Sequence, residues 1–390
     1  MPQILDNATL WIGDGRRFDG HVVIHDGVIE SVHKDRFTGQ GDVVDMRGAV
    51  LSPGLIDLMA NGGFGQSLIG GDMKAFARAY LKLGVTSCQL CCGTRPWSVL
   101  GESADNCRTA ASFDGPDTTR ITGLYMEGPF LHPNCKGAHL PEYLKAPSAD
   151  NIRLVLERFG DIMRMMNVSP GSDGAWEAIR SLRDAGKVIT MAHSDASAEE
   201  ILACIEAGTT QLGHAWDNND GRQTESGSPQ PTLEHVSMID MRVRFIHLIC
   251  DGAHVHPVLI RLVLHCRGIE SICIVTDALP MTGIKEMRTT YDDGRDVFRR
   301  DGAWRVGKTG GLMGTALLLP DQFRNFVRIT GAAPHEAVRT VTGNPAAALG
   351  LDDRIGLLAP GRSADLVAWD ERLNIVRVWR RGVEVEGGGG

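Results

Sequence analysis

Four residues of this 390-residue chain sit directly after short apolar runs and carry side chains able to do chemistry. Glu127 follows ITGLYM, His193 follows KVITMA, His214 follows TTQLG and Asp277 follows SICIVT. One carboxylate and two imidazoles form a donor set for Zn2+ or Fe2+ that leaves a coordination position open for water. An ion so held lowers the pKa of its water towards about 7 and polarises a substrate carbonyl. A second carboxylate beside that water, Asp277, can take its proton and pass it to a leaving nitrogen. Amide hydrolysis needs that second transfer, because an amide anion leaves poorly. Each residue alone has a plainer reading: a hydrogen-bonded strand-end histidine, an ion-paired glutamate, an aspartate capping a helix. The chemistry is carried by their convergence.

Convergence requires a scaffold that brings strand ends together. Eight β-rich apolar runs follow one another: VLSPGLID, VTSCQLCC, ITGLYM, RMMNV, KVITMA, TTQLG, VRFIHLIC and SICIVT. Helical stretches separate them, such as MKAFARAYLKLG and SAEEILACIEAG, each closing on glycine as helix C-termini often do. Strand alternating with helix predicts parallel strands, and eight such units predict a (β/α)8 barrel with its chemistry at the C-terminal strand ends. PGLIDLMANGGFG is glycine-rich but lacks the G-x-G-x-x-G spacing of an open nucleotide-binding sheet. Period-2 patterning marks both chain ends, in ATLWIGDG, HVVIHDGVIESV and GDVVDMRGAV, then in ADLVAWD, NIVRVWRRG and VEVEG. The expectation is a β-sandwich domain from residues 1–52 and 355–390, a barrel over 53–354, and a disordered tail at Gly387 to Gly390.

Composition narrows the function classes. With 40 basic and 48 acidic residues the net charge is -8, which argues against a nucleic-acid or anionic-membrane partner. No apolar run approaches the roughly 20 residues that span a bilayer. The N-terminal MPQILDNATLWIGDG lacks signal-peptide features, so a cytoplasmic location is expected. Of nine cysteines, Cys88 and Cys91 have C-x-x-C spacing, but no second pair completes a zinc site and CQLCCG reads as a buried strand in a reducing compartment.

At these residues the sequence resembles the amidohydrolase superfamily and, within it, the N-acetylglucosamine-6-phosphate deacetylases. The motifs are LSPGLIDLMANGG, GLYMEGPFLHPNCKGAH, ITMAHSDAS, QLGHAWDN, CDGAHVHP, IVTDALPMTG and TGNPAAALGLDDRIGLLAPGRSADLVAWD. The resemblance implies hydrolysis of the N-acetyl group of an amino sugar phosphate. It implies one divalent metal, Zn2+ or else Fe2+, on Glu127, His193 and His214, with Asp277 as general base and then acid. It places His139 against the substrate carbonyl or a hydroxyl, and Gly137, Ala138, Asp217, Asn218, Arg222 and His254 around the sugar; His256 is expected to pack or cap the next helix. A homodimer is expected on the same ground.

Three departures matter. The H-x-H of many superfamily members is replaced by Met59-Ala60-Asn61, and NVSPG after the fourth strand offers no bridging lysine, so one metal is favoured. After the second histidine motif, Asp217 stands where the deacetylases have asparagine, and a carboxylate repels a phosphate dianion. Arg222 could restore a phosphate clamp. The alternatives are therefore a non-phosphorylated N-acetyl amino sugar or other N-acyl substrate, and a non-catalytic scaffold.

Overall fold

A computed structural model describes residues 1–218, 227–308 and 310–389. Eight strands form one sheet of wholly parallel neighbours: Leu55–Ala60, Val85–Cys92, Arg120–Met126, Met163–Asn167, Val188–Met191, Gln211–Leu212, Phe245–Leu248 and Ile272–Ile274. The loop after the last strand meets the first, with the Asp277 amide donating to the Met59 carbonyl at 2.9 Å and the Asn61 amide to Ala278 at 2.7 Å. These bonds and the Ala60–Ala278 bridge close the barrel. The first two strands are buried along their whole length because helices cover one face and the barrel interior the other.

The helices start where the sequence supplies caps. Asp72 accepts from the amides of Lys74 and Ala75 at the head of Met73–Lys82, and Ser197 with Glu200 forms a capping box on Ala198–Ala207. His256 caps Pro257–Arg267, its Nδ1 accepting from the Val258 amide at 3.2 Å.

The chain ends build a second eight-stranded sheet with its own core around Leu10, Val22, Leu51, Leu366 and Trp379. VLSPGLID, read above as one barrel strand, is divided at Gly54: Val50–Pro53 pairs with Leu366–Trp369 in the terminal sheet, and only Leu55–Ala60 belongs to the barrel. A Cβ on Gly54 would lie 2.2 Å from the Thr86 hydroxyl, so the chain can cross between sheets there only without a side chain. The glycine tail is also ordered over its described part, since the Gly389 amide donates to the Lys82 carbonyl at 2.9 Å.

Cys88 and Cys91 are both buried, but on opposite sides of their strand, Cys88 in the helix-facing core and Cys91 in the barrel interior. Side chains three apart on a strand point to opposite faces, so the pair cannot share an ion. Burial pushes both thiols well above the usual range. Among the described residues no helix is long and apolar enough to cross a membrane.

One insertion in the barrel was not anticipated from the sequence. Four antiparallel strands, Arg288–Thr290, Asp296–Arg300, Ala303–Val306 and Gly311–Thr315, form an arm after the eighth barrel strand around Val297 and Trp304. Its turns, DDG and DG, were readable hairpin signals.

At the opposite end of the barrel a buried ion network joins the two sheets. Asp365 of the terminal sheet takes Arg380 Nη1 on one oxygen and Arg120 Nη1, from the third barrel strand, on the other, both at 2.9 Å. Burial alone would raise the Asp365 pKa, but Arg380 and Arg120 lower it on balance. The lowered value means this stabilisation is full above the unfolded carboxylate pKa of about 3.9 and is lost as pH falls through the folded one. Replacing Asp365 by asparagine removes the carboxylate shared by two guanidinium groups, one wholly buried, and leaves them to Asp114. The expected cost is about 3–5 kcal/mol, read as a lowered urea midpoint at neutral pH. An unchanged midpoint would show that the network does not join the sheets.

Candidate active site

The barrel places its reactive side chains at one mouth, each at the end of a different strand. Glu127 follows the third strand, His193 the fifth, His214 the sixth and Asp277 the eighth, and all four are buried. His193 and Asp277 have positive φ values of 54° and 51°. Non-glycine residues seldom adopt that conformation, and it commonly marks strain held at functional sites.

Glu127 Oε1 is the centre of the cluster. It lies 3.1 Å from His193 Nε2, 3.3 Å from His214 Nε2 and 3.5 Å from His139 Nε2. One set of possible ligand atoms, all within 4.8 Å of one another, comprises Glu127, His139 and His193. Distance alone therefore does not separate His139 from His214 as a ligand. The backbone does. His193 Nδ1 faces the Cys135 carbonyl at 2.8 Å, so that nitrogen carries the proton and Nε2 keeps a lone pair for a cation. His139 Nδ1 instead accepts from the Thr94 amide at 3.1 Å, so its neutral ring carries the proton on Nε2. The neutral His139 ring thus presents an N–H at Nε2, and the His193 ring a lone pair. Among the described residues neither ring nitrogen of His214 has a hydrogen-bond partner, although both are buried. Its Nδ1 lies 3.8 Å from Asp217 Oδ2, beyond a hydrogen bond but close enough to favour a proton on that side. Glu127, His193 and His214 therefore fit a divalent cation: one carboxylate oxygen, two lone-pair nitrogens, and an imidazole with nothing else to satisfy it.

The charge states follow from the same closeness. Burial opposes ionisation of Glu127, but the neighbouring imidazoles of His139, His193 and His214 hold its pKa well below the usual range. Burial also opposes charge on His214, yet the nearby carboxylates of Glu127, Asp217 and Asp277 raise it to about 9, so an incoming cation must displace its proton. On His193 burial prevails over Glu127 and the pKa is lowered.

Asp277 lines the same cleft as Glu127, and burial followed by the Glu127 charge raises its pKa well above the ordinary value. Asn61 Nδ2 donates to Asp277 Oδ1 at 2.9 Å. At the Met59-Ala60-Asn61 position the Asn61 amide thus holds one oxygen of the Asp277 carboxyl group. Beneath it, buried Asp57 accepts from the Thr276 hydroxyl at 2.6 Å and from the Thr276 amide at 3.2 Å, anchoring the residue before Asp277.

Other expected residues divide. Ala138, Asp217 and Asn218 line the cleft; Gly137, His214 and His254 do not. A Cβ on Gly137, at φ +54°, would lie 2.7 Å from the Asn218 amide, so this glycine lets that side chain approach the loop. His254 is held by Asp251, Nδ1 to Oδ2 at 2.6 Å, and its buried Nε2 has no hydrogen-bond partner. Arg222 lies outside the described residues.

The sequence reading missed the cleft's cations. Arg95, after the second strand, bonds Asp292 at 2.7 Å and stacks over Tyr291, while Arg295 of the arm bonds Asp293 at 2.6 Å and the Ala138 carbonyl at 2.9 Å. Both arginines line the cleft with Tyr291. Nothing near Arg295 in sequence marks it; only the fold of the arm brings it there.

Comparison with known proteins agrees with this architecture. The amidohydrolase family pattern matches residues 50–385. The N-acetylgalactosamine-6-phosphate deacetylase of Escherichia coli O157:H7 is 29% identical over 98% of this chain and 99% of its own. The human N-acetylglucosamine-6-phosphate deacetylase is 28% identical over 85% of this chain and 82% of its own. Among solved structures, a mutant N-acetyl-D-glucosamine-6-phosphate deacetylase from Mycobacterium smegmatis, in complex with N-acetyl-D-glucosamine-6-phosphate, superposes with a TM-score of 0.87 at 27% identity, covering 98% of both chains. With most of its length matched by the family pattern, the chain belongs to the amidohydrolase family.

Proposed function

We propose that this hydrolase removes the acetyl group from an N-acetylhexosamine 6-phosphate, giving the free amine and acetate. The observation that carries the reading is the sorting of imidazoles around Glu127, with His193 presenting a lone pair and His139 a proton, in the cleft that holds Asp277. Relatives that act on both the gluco and galacto 6-phosphates support the substrate class. Arg95 and Arg295 supply the cleft with positive charge for a phosphate.

A divalent ion held by Glu127, His193 and His214 would supply Lewis acidity to the amide carbonyl and acidify water. The protein does the rest. His139 Nε2–H donates to the carbonyl oxygen as negative charge develops there. Asp277, aimed by Asn61, accepts a proton from the attacking water while the new C–O bond forms. It returns that proton to nitrogen as the C–N bond breaks.

A second reading, a non-phosphorylated N-acyl substrate, is favoured by one feature: Arg95 and Arg295 already face Asp292 and Asp293, and Asp217 adds a further carboxylate. N-acetylglucosamine and N-acetylgalactosamine, each with and without 6-phosphate, separate the two when assayed for released amine. The phosphorylated sugars are expected to have at least tenfold higher kcat/KM; equal values would discard the phosphate and leave the deacylase.

Asp277→Asn keeps a carbonyl oxygen for Asn61 but cannot carry the proton. Metal content is expected to be unchanged and kcat to fall by about a hundredfold or more. Retention of more than a tenth of the activity would remove Asp277 from the role.

Loading of the site is also predicted to depend on pH. His214, with its pKa raised to about 9, holds a proton at neutral pH that an incoming cation must displace, whereas Glu127 is already ionised and His193 already neutral. Zn2+ affinity should therefore weaken by about tenfold per unit as pH drops below about 9, and level off above it. A flat affinity between pH 7 and 9, measured with a competing chelator, would contradict this assignment.

A further inference from the structure

A second donor cluster lies beside the first and is used by none of the chemistry above. His132 and Cys135 sit in the loop that follows Glu127, around the short turn Pro133–Cys135, and Asp195 follows His193 by two residues. One donor atom from each, a ring nitrogen, the thiol sulfur and a carboxylate oxygen, lie within 4.8 Å of one another. Cys135 is buried and the side chains of His132 and Asp195 are mostly so. His132 Nδ1 stands 3.0 Å from Asp195 Oδ1, yet it is buried and makes no hydrogen bond among the described residues. A buried ring nitrogen that makes no hydrogen bond beside a carboxylate oxygen is a donor pair that a cation can bridge once the two atoms part by a few tenths of an ångström. Asn134 Nδ2 donates to the other oxygen of Asp195 at 2.9 Å, holding the carboxylate in that orientation.

We propose that His132, Cys135 and Asp195 form a second divalent-metal site, separate from the one on Glu127, His193 and His214. The mixed nitrogen, sulfur and oxygen set selects a borderline-soft ion of the Zn2+ class over Mg2+ or Ca2+. Ligands at bond lengths of about 2.0–2.3 Å from such an ion lie roughly 3.3–3.8 Å apart, so side-chain rotation of about 1 Å closes the site. Its position gives it a task. The Cys135 carbonyl holds His193 Nδ1, and three residues later the same loop carries Ala138 and His139 into the cleft. An ion there ties this loop to the segment after the fifth strand and fixes the peptide that orients a ligand of the neighbouring metal.

Sulfur distinguishes the two sites, because only the second can give a thiolate-to-cobalt charge-transfer band in the near ultraviolet. The full chain, with Cys266→Ser to remove its one exposed cysteine, is exchanged into Co2+ and titrated. Two equivalents per chain and a thiolate band are expected, and Cys135→Ser in the same background should bind one equivalent and lose the band. Should that variant fold poorly, His132→Gln should keep a first equivalent and weaken the second by at least tenfold. A single equivalent without the band in the parent protein, or a band that survives Cys135→Ser, would overturn the proposal. Neither outcome touches the deacetylase reading, which stands on the first site.

Discussion

A buried carboxylate surrounded by three imidazoles is the constraint from which the rest of this structure follows. Glu127 is ionised where water is nearly absent, and a charge so placed must be met by cations or donors. What meets it is decided by peptide groups some distance away. A carbonyl at Cys135 and an amide at Thr94 fix opposite tautomers on His193 and His139. Two chemically identical rings beside one oxygen therefore acquire different tasks. The selection costs no side-chain chemistry of its own, because it uses backbone polarity that had to be satisfied in any case.

Barrel closure and acid placement are one event. The amide of Asp277 completes the seam with the first strand, the amide of Asn61 completes it from the other side, and the side chains of the same two residues then meet. An acid standing on the seam cannot drift without opening the barrel, which explains how a residue at positive φ is kept there. The same geometry gives a meaning to the loss of H-x-H. Without a second ion on the first strand, the acid needs another group to orient it, and Asn61 lies within hydrogen-bonding reach of Asp277.

Much of this was visible in the residues themselves. Apolar runs long enough for one strand, each followed by a polar residue of chemical use, announced both the barrel and the residues at its mouth, because interior strands must be apolar and their ends need not be. The imprecise parts share a cause. The division of VLSPGLID depends on a close approach of Gly54 to Thr86, and the order of Gly389 on a bond to Lys82, both contacts between distant segments. Tyr291 and Arg295 were invisible as site residues because an arm whose hairpins were legible folds back over the mouth, and Arg95, after the second strand, is marked only by its contacts with that arm. The tautomers were likewise beyond reach, since each depends on a peptide group remote in the chain.

On the proposed reading, the arm would also let the mouth recognise a phosphate without becoming a general sink for anions. Its cations arrive with their own counter-charges: Asp292 on Arg95, and Asp293, two residues before it, on Arg295. A ligand bearing charge must share or displace those carboxylates, so a bare anion gains little by entering. A substrate that also fills the cleft and engages His139 gains more, and Arg295 joins the two demands because its other nitrogen holds the Ala138 carbonyl next to that histidine. On that reading, recognition at the arm and polarisation at the amide would be mechanically linked, and selectivity would come from requiring both ends of one molecule to be present together.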